Sequence, residues 1–173
     1  MKHLAGVLIA LVVATLTGCQ DVDPPTNLTG YETTYELVAA SAHDVKGIVT
    51  FKERTDGFTT VVISVSGTGG DAKHPVHLHL GGLSTPDADV AAVLNPVVAY
   101  TGRSETILTS LANETPITYA SLNNLEACVK IHLSDSGPER TVVLAGGNIG
   151  EAYILSIKEG KPAGIPSCKS SGD

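Results

Sequence analysis

The sequence predicts an all-β protein, built as an antiparallel sandwich or flattened barrel, and three observations support this fold class. Valine, threonine, isoleucine and glycine are common, whereas aromatic residues make up 4% of the chain, a composition that favours strands over helices. Many short segments alternate apolar and polar residues with a period of two, and turn residues separate them. The chain of 173 residues is long enough for one domain with a substantial core.

The alternating segments predict the following strands, in chain order: 35–40, 45–52, 58–66, 76–80, 97–100, 104–108, 128–133, 141–144 and 151–157. The Thr-Asp-Gly sequence over 55–57 predicts a hairpin-type turn before the third strand. Residues 81–92 are predicted to form a long loop. One or two helical turns are expected over 118–125, with Leu122 and Leu125 facing inward. No internal repeat and no low-complexity tract interrupts this order.

The amino terminus predicts a lipoprotein leader over residues 1–18. Lys2 supplies the charge, and the apolar core over 8–13 is too short to span a bilayer. The sequence Leu-Thr-Gly-Cys that ends at Cys19 resembles the lipobox of bacterial lipoproteins. That resemblance implies cleavage before Cys19, acylation of this residue, and a domain held at a membrane of the cell envelope. The alternative is an ordinary signal peptide with an incidental cysteine.

The remainder of the chain divides into three predicted parts. Residues 19–33 are expected to be the lipidated cysteine and a flexible tether, because they contain two prolines, an asparagine and a glycine among polar residues. The folded domain is predicted over 34–158, and a polar tail over 159–173. The formal charge of −7 argues against nucleic acid as a partner.

Two cysteines follow the leader, Cys128 and Cys168. In an exported protein such a pair is more often a disulfide than a metal or catalytic site. The bridge would close a loop of about forty residues, tie the tail to the domain, and stabilise the fold by about 2–4 kcal/mol. Two free thiols are the alternative.

Three of the six histidines lie within residues 74–79, and they predict a metal site. On a strand, His77 and His79 point to the same face, about 6.5–7 Å apart. Aliphatic residues alternate with these histidines and also with His132, so all three imidazoles would face away from the core if the aliphatic set faces it. They could then meet on one sheet, provided that the two strands are neighbours. Neutral imidazole is a common ligand of copper and zinc. Alternatively, the three rings hydrogen-bond to the backbone or to each other, and His74, of opposite parity, is expected to bond a neighbouring loop.

The motif His-Pro-Val-His-Leu-His over 74–79 resembles the strand that carries two copper ligands in Cu/Zn superoxide dismutases. The later segment ending at His132 is similar to the strand that carries another copper histidine, and residues 140–152 resemble the final glycine-rich strand. In shorter form, the same landmarks resemble the chordin-type CHRD domain, which fits better because the loops are short. Over about 35–157, the resemblance implies a superoxide dismutase-like Greek-key fold and a non-enzymatic binding domain.

The chain also departs from the dismutase pattern. No histidine lies between Leu80 and Ile131, so the bridging histidine and the zinc ligands are missing, and Gly146 stands near the expected position of a disulfide cysteine. A divergent copper-dependent superoxide dismutase is therefore the second expectation. The third is a structural or protein-binding surface module without metal. No Gly-x-Ser-x-Gly motif indicates a hydrolase.

Overall fold

The computed structural model describes residues 27–85 and 88–160, together with the backbone of 167–169. The strands are β1 (Leu28–Ala39), β2 (Lys46–Arg54), β3 (Thr59–Ser66), β4 (Lys73–Leu80), β5 (Val90–Val98), β6 (Arg103–Leu108), β7 (Glu126–His132), β8 (Val143–Ile149) and β9 (Ser167–Lys169). The helices are α1 (Tyr119–Asn123), α2 (Gly150–Lys158) and a 3₁₀ turn (Pro138–Thr141). Leader residues 1–18 and Cys19 lie outside the described residues.

Eight antiparallel strands form a closed barrel, which confirms the predicted all-β fold class. The strand order is β2-β3-β6-β5-β4-β7-β8-β1, and pairing of β1 with β2 closes the barrel. β9 adds to β1 at residues 32–34, beyond the point where β8 pairs with β1. Within the described residues, no helix is long and apolar enough to cross a membrane.

A Greek-key connection sets the position of the candidate site. β4, β5 and β6 follow one another around the barrel, and the chain then returns through α1 so that β7 pairs with the other side of β4. The register places Val76 opposite Ile131 and Leu78 opposite Val129. Two strands that lie far apart in sequence therefore share one ladder of hydrogen bonds.

The predicted alternation in these two strands is confirmed. Val76, Leu78, Val129 and Ile131 are completely buried in the barrel core. Burial of each aliphatic side chain stabilises the fold by about 1.5–3 kcal/mol, and a slip of one residue would turn all four toward solvent. The same packing therefore fixes the outward direction of the alternate residues.

The helical turns expected over 118–125 are confirmed by α1, with Leu122 buried. Thr118 begins the helix: its side chain accepts a hydrogen bond from the Ser121 amide, and the Ser121 side chain accepts one from the Thr118 amide. This reciprocal capping satisfies amide groups that a helix start leaves unpaired. Leu125 is partly buried against the core.

Two predicted boundaries are wrong. Residues 28–33, expected in the tether, are the first half of β1, because Leu28 already pairs with Arg54 of β2. The predicted loop over 81–92 ends early, because β5 begins at Val90, and β5 ends at Val98, so it includes only the first half of the strand predicted over 97–100. The pairing of β5 with β4 extends from Val90, opposite His79, to Val98, opposite Lys73.

The strand predicted over 151–157 is also wrong, because these residues form α2. Its buried residues Ala152, Tyr153 and Ser156 recur at helical rather than alternating spacing. Gly150 starts the helix with a φ of +53°, and a Cβ there would lie 2.3 Å from the Leu125 carbonyl oxygen. The final barrel strand is β8, which continues well beyond the predicted 141–144.

Candidate metal centre

The three histidines singled out in the sequence meet on the outer face of β4 and β7. The register places His77 opposite Lys130 and His79 opposite Cys128, and His132 follows two residues after Lys130. The ring centroids of His77 lie 5.7 Å from His79 and 5.0 Å from His132, and those of His79 and His132 lie 6.0 Å apart. The prediction that these rings converge is confirmed.

The potential ligand atoms of this histidine triad, one nitrogen from each ring, all lie within 4.8 Å of one another. An atom equidistant from three corners separated by 4.8 Å lies about 2.8 Å from each, against a Zn–N distance of about 2.0–2.1 Å. Small side-chain rotations would therefore bring the three nitrogens to bonding distance of one ion.

Hydrogen bonds to the backbone fix the tautomers of two of the rings. His79 Nδ1 lies 2.8 Å from the Ala88 carbonyl oxygen, and His132 Nδ1 lies 3.1 Å from the Arg140 carbonyl oxygen. A carbonyl oxygen only accepts, so each Nδ1 carries the hydrogen and donates it. Each neutral ring then has its lone pair on Nε2, the arrangement that outer hydrogen bonds give to metal-binding histidines.

The two Nε2 atoms, of His79 and His132, are buried and have no hydrogen-bond partner among the described residues. A buried acceptor without a partner costs about 1–3 kcal/mol. Hydrogen bonding to the backbone, the alternative role for these histidines, accounts for both Nδ1 atoms but leaves both Nε2 atoms unpaired. A cation at the centre of the triad would satisfy both lone pairs.

The environment favours the neutral form of all three imidazoles. Burial is the main cause that lowers the pKa of His77, His79 and His132 below the ordinary value of 6.5. Positive charge on a neighbouring ring lowers the pKa of His77 and His132 further, and the Lys130 ammonium lowers that of His79. The hydrogen bonds to Ala88 and Arg140 act in the opposite direction. Neutral imidazole is the form that binds metal.

We expect the metal-free fold to lose stability as the pH falls below 6.5, the ordinary histidine pKa. Because folding lowers the pKa of these histidines, the unfolded chain binds more protons than the folded chain in this range. The stability that the neutral rings contribute is fully present above pH 6.5 and is lost as the pH falls toward the pKa values of the folded protein. Urea midpoints between about pH 7.5 and about pH 5 would measure the effect. The matched control replaces all three histidines with glutamine and should show a flatter profile. Parallel profiles would contradict this account.

An open cavity of about 530 Å³ lies beside the triad. Besides the histidines, polar and charged residues line it: Lys130, Ser134, Asp135, Arg140 and Thr141. Sequence reasoning missed Lys130 as a site residue, although its parity matches that of His132. It also missed the carbonyls of Ala88 and Arg140, which carry no side-chain signal.

His74 has the structural role expected from its opposite parity. The side chain is buried, and its Nδ1 lies 3.2 Å from the carbonyl oxygen of Leu133, immediately after β7. The contact joins the start of β4 to the end of β7. His74 thus holds together the two strands that carry the triad.

Within the described residues Cys128 is a free, buried thiol, and its predicted disulfide with Cys168 stays a prediction. Its register neighbours are His79 and Asn148, whereas the backbone of Cys168 pairs opposite Thr33 on β1. Burial raises the pKa of the Cys128 thiol, which disfavours the thiolate needed for disulfide exchange. The Cys168 side chain lies outside the described residues.

A loop over 81–85 crosses the outer face of β8 next to Cys128. The Leu83 amide donates to Asn148 Oδ1 at 2.7 Å. A Cβ added at Gly146 would lie 2.7 Å from Leu83 Cδ2, so the glycine leaves room for this side chain. Backbone pairing of β9 with β1 joins residues 167–169 to the barrel.

No protein-family model matches the chain, and no curated protein or solved structure does.

Proposed function

We propose that the domain binds one transition-metal ion, copper or zinc, through His77, His79 and His132. The observation that carries this proposal is the pair of buried, unpartnered Nε2 atoms on His79 and His132. Both rings are held by their Nδ1 hydrogen bonds, and His77 packs against both of them. Two ligand rings are thus oriented before any ion binds, which lowers the ordering entropy that binding must offset.

The chemistry of the ligand set suits both metals. Imidazole binds copper and zinc well, and three neutral nitrogens leave the full charge of the ion uncompensated by the protein ligands. Three histidines with an open fourth position are typical of zinc sites that bind water or an added ligand. The cavity beside the triad provides the space for that fourth ligand.

Metal analysis of the purified domain tests the proposal. After loading with Cu²⁺ or Zn²⁺ and removal of excess ion, we expect one equivalent per chain in the unmodified protein. The His77→Ala, His79→Ala double variant should retain none, because one imidazole alone binds weakly at micromolar protein. The control is His43→Ala, since His43 is exposed in the turn before β2. Equal bound metal in all three proteins would place the ion elsewhere and exclude the site, and no bound metal in any of them would leave a module without metal.

The cavity also favours a second candidate function, a divergent copper-dependent superoxide dismutase. It lets a small molecule reach an ion held by the triad. Against this candidate, no fourth histidine joins the triad among the described residues. Superoxide removal by copper-loaded protein, compared with the same protein loaded with zinc, measures the activity. Rapid turnover with copper alone would favour the enzyme over the binding domain.

We infer from the lipobox resemblance that the chain is anchored in the cell envelope through acylated Cys19. Several acyl chains on one residue give the stable membrane attachment that a single chain does not. Cells expressing the full chain and fed a labelled fatty acid should incorporate label into it. Cys19→Ser should remove the label, whereas the control Cys168→Ser should keep it. Labelling of the Cys19→Ser protein at the unmodified level would refute the anchor.

A further inference from the structure

Lys130 is the charged residue closest in register to the histidine triad. It lies directly opposite His77 and shares the outward face of β7 with His132. Its side chain lines the same cavity as all three rings. The Lys130 ammonium also acts on the pKa of both His79 and His132, which places its charge near both rings.

No carboxylate neutralises this lysine within the described residues. Three ion pairs occur there, and none includes Lys130 or Arg140. Among the described residues that line the cavity, Asp135 is the single acidic one, against Lys130 and Arg140. In a chain of formal charge −7, this is a local excess of positive charge, which a bound divalent ion would increase.

The geometry points to a carboxylate ligand. We propose that the open position of the bound ion and the Lys130 ammonium together hold the carboxylate of a small organic acid. One carboxylate oxygen would bind the ion and the other would accept a hydrogen bond from Lys130. This inference rests on the proposed metal site, because without an ion the first oxygen has no partner.

The size and the donors of the cavity favour this class of ligand over others. The cavity volume of about 530 Å³ falls within the range of small-molecule pockets, about 300–1,000 Å³. It is larger than the volume that a diatomic anion occupies. Ser134 and Thr141 offer hydroxyls near the rim, and Arg140 is exposed there. Phosphate sites commonly use a helix amino terminus or a run of backbone amides, and no helix amino terminus is found among the described residues that line this cavity.

Titration of Co²⁺-loaded protein with acetate tests the inference. The visible absorption of bound Co²⁺ reports a change of ligand at the open position. We expect a saturable spectral change in the unmodified protein and an at least tenfold weaker acetate affinity in Lys130→Met. Methionine keeps an unbranched side chain, so the packing on this face is largely retained. Urea unfolding of the loaded variant checks that it is folded, and Lys130→Gln serves as a second variant.

The control is Lys46→Met, which removes the same charge from β2, four strands away from β4 in either direction around the barrel. It should bind acetate as the unmodified protein does. Failure of the unmodified protein to bind Co²⁺ would refute the metal site itself. Normal Co²⁺ binding with equal acetate affinities in the Lys130 variants and the control would overturn only the carboxylate site. Tighter binding of inorganic phosphate than of acetate would overturn the ligand class.

Discussion

Saturation with Zn²⁺ at a thousandfold excess over its Kd is expected to raise the free energy of unfolding by about 4 kcal/mol, and His132→Ala is expected to remove nearly all of that gain. The proposed ion would bind the folded chain, because the barrel brings β7 beside β4 and the unfolded chain has no such site. His132 is the one ligand contributed by β7. Its removal leaves two imidazoles from a single strand.

Urea unfolding with Zn²⁺ and with a chelator measures this gain in each protein. Without metal, His132→Ala should be close to the unmodified protein in stability, because it removes a buried, unpartnered Nε2 as well as the hydrogen bond to Arg140. His43→Ala should keep the full stabilisation by Zn²⁺. A stabilisation by Zn²⁺ that is as large in His132→Ala as in the unmodified protein would show that the ion binds elsewhere.

Gly147→Ala is expected to destabilise the barrel by about 3 kcal/mol, the upper part of the range for overpacked sites. Gly147 lies where β8 approaches β1. A Cβ there would lie 2.1 Å from the Glu36 carbonyl oxygen and 3.1 Å from Leu37 Cδ2. The first contact is with backbone, so neither strand can relieve it by rotating a side chain. The two strands must separate, and their pairing weakens.

Gly69→Ala is the matched control for this substitution. A Cβ at Gly69 would have nothing within 4 Å, and no left-handed φ is required there. Urea midpoints of the two variants, measured side by side, should differ strongly, with Gly69→Ala close to the unmodified protein. Equal midpoints would show that the close approach of β8 and β1 at Gly147 is wrong.

Local alternation made much of the site predictable from the sequence. Val76 and Leu78 alternate with His77 and His79, and the core burial of the aliphatic pair dictates the face on which the histidines lie. The same argument applies to Ile131 and His132. Alternation could not predict that β4 and β7 are neighbours, because their pairing depends on a Greek-key return across more than forty residues of sequence.

Other features of the site depend on tertiary contacts that leave no local pattern. The tautomers of His79 and His132 are set by two backbone carbonyls, at Ala88 and Arg140, and every residue type carries a carbonyl. The segment over 151–157 was misassigned because a short apolar run fits both a strand and a helix. Gly150, at the start of the helix, adopts a positive φ that an apolar pattern does not predict.

We propose that three imidazoles bind one ion, two of them through Nε2. Two-dimensional NMR that correlates the imidazole nitrogens with the ring protons, recorded before and after one equivalent of Zn²⁺, tests it most directly. In the metal-free protein we expect His79 and His132 to carry their hydrogen on Nδ1. On addition of Zn²⁺, the Nε2 resonances of both should shift, together with one ring nitrogen of His77, while both Nδ1 stay protonated. Unchanged nitrogen resonances in these three histidines, with the ion bound or free, would contradict the metal centre.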